Sequence, residues 1–208
     1  RNRNMNEYEH YSLFGESWWL DAVIGPGKWD EARIEGGGRL QARLPFVIRK
    51  KHGVTILGSP PLTQHLGPWF APTDGKYATE LARQKDLIEK LISRLPTYHM
   101  FKQNFHHAVT NWLPWYWKGF EQTTRYTYVL EDLSRENDLW NEMQTNIRGD
   151  IRKAKNRIGL QVVNDLGLDA LLRVCRKTFQ RQGKQGFQEH VATRVYEACT
   201  KRGQGKAF

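Results

Sequence analysis

The stretch RGDIRKAKNRIG, residues 148–159, concentrates cationic side chains. Five Lys and Arg residues lie within ten positions, against a single acid. On a helix, Arg148, Arg152 and Lys155 are spaced i, i+4 and i+7 and share one face. Lys and Arg clustered in this way bind phosphate groups through charge-assisted hydrogen bonds. The alternative is a solvated face that contributes little beyond solubility, and the sequence leaves both interpretations open.

Helical spacing also predicts how this segment is held. Apolar residues recur at Ile147, Ile151, Ala154 and Ile158 within a predicted helix over 134–158. Such a stripe normally packs against a core. We therefore expect the stripe to anchor the helix while its cations point into solvent.

Two further pairs of residues are candidates for ligand contact. Trp18 and Trp19 form the aromatic head of a short predicted helix that ends at a glycine. They either line a substrate cleft or supply core packing. Gln64 and His65 lie in the proline-bounded loop 60–72, and binding residues concentrate in such loops.

Other ring-bearing residues allow two interpretations. His106 and His107 adjoin the predicted strand 99–105, and neighbouring strand residues point to opposite faces, so the pair is not expected to share a ligand. The aromatic run 112–117 either stacks on bases or sugars or covers an edge of the sheet.

Several classes of catalytic site are excluded by missing motifs. The chain has no Walker phosphate loop, no G-x-G-x-x-G after a strand, no H-E-x-x-H, no C-x-x-C and no G-x-S-x-G. No metal is therefore expected. The string RGQGKA at 202–207 fits a pyrophosphate loop, but it ends a predicted helix instead of opening one. Gly203 and Gly205 are accordingly interpreted as helix stops.

The composition limits the partners. Thirty-two Lys and Arg against 22 Asp and Glu give a net charge of +10, which attracts nucleic acid, phosphorylated cofactors or acidic lipids. Cys175 and Cys199 are interpreted as small buried hydrophobes. The sequence contains neither a membrane-spanning apolar run nor the apolar core of a signal peptide. We therefore expect a cytoplasmic protein.

The remaining pattern predicts an α+β fold. Alternating apolar residues over 28–58, with glycines between the runs, predict an antiparallel meander. An amphipathic helix is predicted over 77–95, strands over 99–105, 123–133 and 160–163, and two further helices after them.

Several segments together resemble one family. They are SWWLDAVIG, ARLPFVIRKKHG and PPLTQHLGPWF, followed by YVLEDLSRENDLWNEMQTNIRGDIRKAKNRIGLQVV. In the last segment an aromatic-rich strand is followed by LS, a helix and R-x-x-I-R-K-A-x-x-x-x-G-x-x-V. Over roughly 10–208 the chain resembles the FemAB-like, GNAT-fold N-acyltransferases.

The resemblance implies a fold and a reaction. The fold is a GNAT-like mixed, mostly antiparallel sheet flanked by helices at 1–131, then a junction helix and the incomplete start of a second GNAT-like domain at 132–208. The reaction transfers an acyl group from acyl-CoA, such as acetyl-CoA, or an aminoacyl group from aminoacyl-tRNA, to an amine-bearing acceptor. The base and the amide that holds the acyl oxygen would lie beyond Phe208, so we expect a truncated, inactive chain.

Two departures bear on the substrate. The first helix, SWWLDAVIG, lacks the lysine with which peptidoglycan-modifying members often hold their precursor, and the long helical hairpin of some tRNA-using members is missing. Both argue against a substrate of the bacterial cell envelope and leave the acyltransferase prediction in place. The alternative hypotheses are a non-catalytic module that binds nucleic acid or another anionic partner through the basic helix, and a structural interaction domain.

Overall fold

The chain forms a mixed, mostly antiparallel sheet flanked by helices, which confirms the α+β class. The structure, a computed structural model, describes residues 12–130, 132–164, 166–184 and 188–207. In chain order its elements are a 3₁₀ turn (Leu13–Gly15), α1 (Ser17–Ile24), β1 (Asp30–Gly36), β2 (Arg39–Lys51), β3 (Val54–Gly58), β4 (Trp69–Phe70), α2 (Tyr77–Ser93), β5 (Met100–Lys102), α3 (Leu113–Trp117), α4 (Glu136–Glu142), α5 (Thr145–Lys153), a π-helical turn (Ala154–Ile158), α6 (Gly167–Arg181) and α7 (Glu189–Lys201).

The meander predicted over 28–58 is confirmed. Strands β1 and β2 form a hairpin whose turn is Gly37–Gly38, with φ of +58° and +73°. Two consecutive positive φ angles are what a tight hairpin turn matching the strand twist requires, and glycine adopts them without a Cβ clash. Strand β2 then pairs antiparallel with β3, and it also pairs with the short β4.

A crossover through α2 brings in the last strand of the sheet. Strand β5 pairs in parallel with β3, which requires a long connection between them. The predicted helix forms and ends at Ser93, with Ile88 and Leu91 completely buried against the sheet. Strand β5 is shorter than predicted, because beyond Lys102 only an isolated bridge between Leu66 and Phe105 continues the pairing.

The middle of strand β2, residues 42–47, is buried on both faces, although its alternating pattern predicts one solvated face. Ile48, the last apolar residue of that pattern, is 42% exposed. Ala42, Leu44 and Phe46 pack on the side of α2, whereas Arg43 and Pro45 lie against the 3₁₀ turn and the segment after His65. The strand is therefore central in the fold, and its second face forms the floor of the candidate site described below.

The aromatic run 112–117 divides between core and surface. Trp115 is completely buried and stacks on Phe101 with ring centroids 5.8 Å apart. Tyr116 and Trp117 are 64% and 55% exposed. Trp112 is partly buried against the same core cluster, so two rings of the run cover the sheet, as one of the two interpretations predicts.

The C-terminal helix α7 packs against α1. Trp19, Leu20 and Val23 form a second apolar cluster with Val191 of α7. The guanidinium of Arg194 adds hydrogen bonds to the last turn of α1. The boundary near 131 stays a prediction, but α7 contributes directly to the packing of the first helix.

The segment 121–164 differs most from the sequence-based expectations. Among its described residues none belongs to a strand, although strands are predicted over 123–133 and 160–163. Tyr126 and Tyr128 are 94% and 101% exposed. Aromatic and β-branched residues favour strands only where a neighbouring strand supplies hydrogen bonds and packing, and no strand of the described ranges runs beside this segment.

The helix predicted over 134–158 divides into α4 and α5, because Met143 between them has an extended backbone. Its apolar stripe is not an anchor: Ile147, Ile151 and Ile158 are 45%, 41% and 60% exposed. The π-helical turn continues α5 directly and does not cover this stripe. The expectation of a buried stripe is therefore wrong.

Candidate functional site

A pocket opens where three separate segments meet. The first segment is residues 12–16, around the 3₁₀ turn before α1. The second is the middle of β2, and the third is residues 65–69. The pocket is partly open to solvent and is lined by the ionisable side chains of Glu16, Arg43 and His65. The pocket thus combines a carboxyl, a guanidinium and an imidazole with apolar walls, the composition typical of small-molecule sites.

Gln103 and Gly67 fix the wall of the pocket. The Gln103 side chain donates to the carbonyl oxygen of Pro45 at 2.8 Å and accepts from the amide of Gly67 at 3.2 Å. Gly67 has a φ of +86°, and a Cβ there would lie 2.7 Å from a ring carbon of Phe105. Only glycine fits this close approach, which sets the position of the neighbouring His65.

Arg43 forms a buried ion pair in the floor of the pocket. Its side chain is 2% exposed, and its Nε lies 2.6 Å from Oε2 of Glu31, which is 4% exposed. Glu31 also binds Arg33 at 2.7 Å, and the Trp29 ring centroid is 5.9 Å from the Arg43 guanidinium carbon. Because an isolated buried charge is costly, this pairing is what makes a cation tolerable inside the sheet layer.

Glu16 precedes α1 and is half-buried in the pocket. Burial raises the pKa of its carboxyl, and the positive charge of Arg43 opposes part of that shift. Desolvation disfavours the charged form of a carboxylate, so Glu16 holds a proton more readily than an exposed glutamate does. A carboxyl of this kind is suited to exchanging a proton with a bound ligand.

His65 belongs to a cluster of three imidazoles. Its ring centroid is 4.7 Å from that of His106, and the rings of His106 and His107 are 4.0 Å apart. Burial, assisted by repulsion from His106 and His107, lowers the pKa of His65 to about 4. The imidazole is therefore neutral at neutral pH.

The expectation that His106 and His107 diverge is wrong. They lie in a turn beyond β5, closed by a hydrogen bond from the amide of Val109 to the carbonyl oxygen of His106 at 2.9 Å. The amide of Ala108 also donates to Nδ1 of His106 at 3.1 Å. The alternation rule for strands does not apply to a turn, so both rings pack together beside His65.

The described residues do not form a metal site. Although three histidines are in contact, no group of three or more His, Cys, Asp or Glu side chains within the described ranges is arranged to hold a metal ion. Cys175 and Cys199 are half-buried free thiols on separate helices.

The other residues predicted in this region lie around the pocket and outside its walls. Trp19 is buried and donates from its indole nitrogen to Thr63 Oγ1 at 3.0 Å, so it is a core residue. Trp18 is half-buried, with the guanidinium of Arg202 4.7 Å from its ring centroid. Gln64 is exposed, and its carbonyl oxygen accepts from Asn104. Of the four, only His65 lines the pocket.

The basic residues lie on α5 and the π-helical turn and do not line the pocket. Arg148 donates to the carbonyl oxygen of Asn141 at 3.2 Å, and the guanidinium carbon of Arg152 is 5.3 Å from the Trp140 ring centroid. Lys155 is exposed in the π-helical turn. The structure therefore separates this cationic helix from His65 and Glu16.

Sequence reasoning missed Glu16 and Arg43. Arg43 carries a signal, because it is the charged residue in the middle of the apolar run LQARLPF, where a charge implies a buried partner if the strand is central. Glu16 carries none beyond its place before a helix, and its importance follows only from tertiary packing.

The comparisons with known proteins add no relative. No protein-family model matches the chain, and no curated protein or solved structure matches it. Within the described ranges, no helix combines the length and apolar character that crossing a bilayer requires.

Proposed function

We propose that this protein is an N-acyltransferase and that the pocket receives its amine-bearing acceptor. The observation that carries the proposal is the half-buried carboxyl of Glu16, whose pKa is raised, in an open pocket beside the neutral imidazole of His65. A carboxylate attracts an ammonium group, and acyl transfer requires that ammonium to lose a proton before its nitrogen attacks.

Glu16 is the acceptor's base in this scheme, in place of the base beyond Phe208 that the family resemblance implies. Its carboxylate takes a proton from the ammonium, and the neutral nitrogen bonds to the acyl carbon. The bond from that carbon to the donor's sulfur or ribose oxygen then breaks, and the second proton lost by the nitrogen passes to that leaving atom. The raised pKa of Glu16 brings its basicity closer to neutrality than that of an exposed glutamate. His65 supplies a polar wall without a competing positive charge.

Arg43 has a supporting role. Its ion pair with Glu31 keeps the guanidinium in the floor, where its charge draws the pKa of Glu16 downward against the effect of burial. The balance keeps Glu16 able both to lose and to gain a proton.

The FemAB-like, GNAT-fold resemblance supports the reaction class. It implies acyl-CoA or aminoacyl-tRNA as the donor, and the proposal assigns the reaction to the cytoplasm, where both are formed. The mixed, mostly antiparallel sheet with one parallel strand pair is compatible with the fold that the resemblance implies.

The test is an acyl-transfer assay on the protein made from its full open reading frame. Acetyl-CoA, other acyl-CoA thioesters and charged tRNA are offered as donors to a panel of primary amines, and products are detected by mass. We expect Glu16→Gln to lower the rate at least about 100-fold, the contribution typical of a general base. Glu89→Gln, which removes an exposed carboxylate on α2, is the matched control.

Two results would reject the proposal. One is the absence of transfer from every donor to every amine. The other is a Glu16→Gln enzyme that transfers the acyl group as fast as the Glu89→Gln enzyme, when the two variants have the same melting temperature.

A further inference from the structure

The helical segment 145–158, comprising α5 and the π-helical turn, exposes an apolar strip between cations. Ile147, Ile151 and Ala154 recur at i, i+4 and i+7, and Ile158 continues them in the π-helical turn. The three isoleucines are 41–60% exposed. Around this strip stand Arg148, Arg152, Lys153, Lys155 and Arg157.

The cations cover much of the remaining surface of this helical segment. At 3.6 residues per turn within α5, Arg148 lies on one flank of the strip and Asp150 on the other, whereas Arg152 and Lys153 lie towards the opposite face. Lys155 and Arg157 follow in the π-helical turn beside Ile158. An amphipathic helix with an exposed apolar strip and a polar face rich in Lys and Arg is suited to a surface that offers both anionic groups and an apolar layer.

An anionic lipid bilayer has that combination. Its phosphates accept hydrogen bonds from Lys and Arg, and the boundary with its acyl chains accepts apolar side chains a few ångströms deeper. RNA offers the phosphates alone, and its binding would leave the isoleucines in water. Trp140, whose ring lies beside the Arg152 guanidinium, is a residue type that favours the membrane interface.

We propose that residues 145–158 bind the surface of an anionic lipid bilayer, with the isoleucine strip at the headgroup boundary and the flanking cations on lipid phosphates. This role is an alternative to the phosphate-binding role that the sequence predicts for Arg148, Arg152 and Lys155 in holding the substrate. It does not depend on acyl transfer by the pocket, which lies on other elements.

Vesicle co-sedimentation tests the proposal. The probes are vesicles of phosphatidylcholine alone and vesicles containing 30% phosphatidylglycerol, at low and high salt. We expect binding only to the anionic vesicles, reduced by salt. The double variant Lys155→Gln/Arg157→Gln should bind about 30-fold more weakly, at roughly fivefold for each charge near the surface. The equal charge change Arg173→Gln/Lys177→Gln on α6 should bind as the parent does.

A second pair of variants tests the apolar strip. Ile151→Ser should weaken binding to anionic vesicles, whereas Val162→Ser, at a position 83% exposed outside the helix, should not. Equal loss from both would indicate a general effect of exposed apolar surface and would overturn the proposal. Equal binding to both vesicle types would overturn it as well, as would tighter binding to single-stranded or transfer RNA that Ile151→Ser leaves unchanged.

Discussion

Arg194 Nε donates a hydrogen bond of 2.8 Å to the carbonyl oxygen of Ala22, which joins two helices across 172 residues of sequence. A second bond of 2.9 Å runs from Nη2 to the carbonyl oxygen of Val23. The last carbonyls of a helix lack partners within it, and a cation there also meets the negative end of the helix dipole. Arg194 thus caps the end of α1, the helix that begins directly after the pocket residue Glu16.

Arg194→Met should therefore destabilise the protein. The substitution leaves the two carbonyl groups without their donor, and we expect the free energy of unfolding to fall by about 2 kcal/mol. Urea titration followed by far-ultraviolet circular dichroism measures the change. Arg173→Met, on the exposed face of α6, is the control. Equal stability of the two variants would contradict the capping role.

Gly67→Ala should be more costly than Gly119→Ala. Both glycines have positive φ, +86° and +81°, so both substitutions introduce similar backbone strain. A Cβ at 67 meets Phe105 at 2.7 Å, whereas a Cβ at 119 meets nothing within 4 Å. We expect Gly67→Ala to lose about 2 kcal/mol more, the order of cost of overpacking a core. Differential scanning calorimetry on both variants gives the comparison.

His65 should titrate near pH 4. Its pKa is lowered to about 4 from 6.5, chiefly by burial and then by His106 and His107. The unfolded chain binds a proton at higher pH than the folded chain does, so His65 costs stability as pH falls from about 6.5 to 4. An NMR titration of its ring protons reports the midpoint directly.

His65→Phe supplies the thermodynamic counterpart of that titration. It keeps a ring against Phe14 and His106 but cannot take up a proton. Its stability should decline less than that of the parent between pH 6.5 and 4. A His65 midpoint near 6.5, or parallel stability profiles, would contradict the burial described for this imidazole.

Glu80 should stabilise the start of α2 except in strong acid. Its carboxylate accepts from Arg83, Thr73 and Gln84, and the bond from Arg83 is the main reason that its pKa is lowered to about 2. The stabilisation is complete above about pH 4.5 and disappears as pH falls towards 2. Glu80→Gln should lose about 1 kcal/mol at pH 7, allowing for solvent screening.

Measuring the stability of the parent and of Glu80→Gln at two pH values checks whether the contribution of Glu80 depends on its charge. The urea midpoints of the parent and Glu80→Gln should differ at pH 7 and approach each other near pH 2. If the two urea midpoints differ by the same amount at both pH values, the Glu80 side chain stabilises the protein through packing, and the prediction is contradicted.

Local signals were sufficient for much of the fold. The glycine run at 36–38 predicts the hairpin, and the spacing of Ile88 and Leu91 predicts the inner face of α2; both predictions are confirmed. These features depend on neighbours within a few positions. The strand predicted over 123–133 does not form in the described part of that range, because a strand needs a partner that its own residues do not specify.

The site was less accessible to prediction because its parts are distant in sequence. His65 was identified from its loop, but its contact with His106 requires the whole path through α2 and β5. The burial of Arg43 depends on the segments that cover the second face of β2, and those segments contain no pattern that says where they dock.

The pairing of α1 with α7 also sets an order of events during synthesis. The apolar face of α1, with Trp19 and Leu20, is synthesised well before its partner Val191 in α7. At about 5–20 residues per second the delay is roughly 10–30 s. The β1–β2 hairpin can close during that time. During that interval the apolar face of α1 is uncovered, and it is open to chaperones that bind nascent apolar segments.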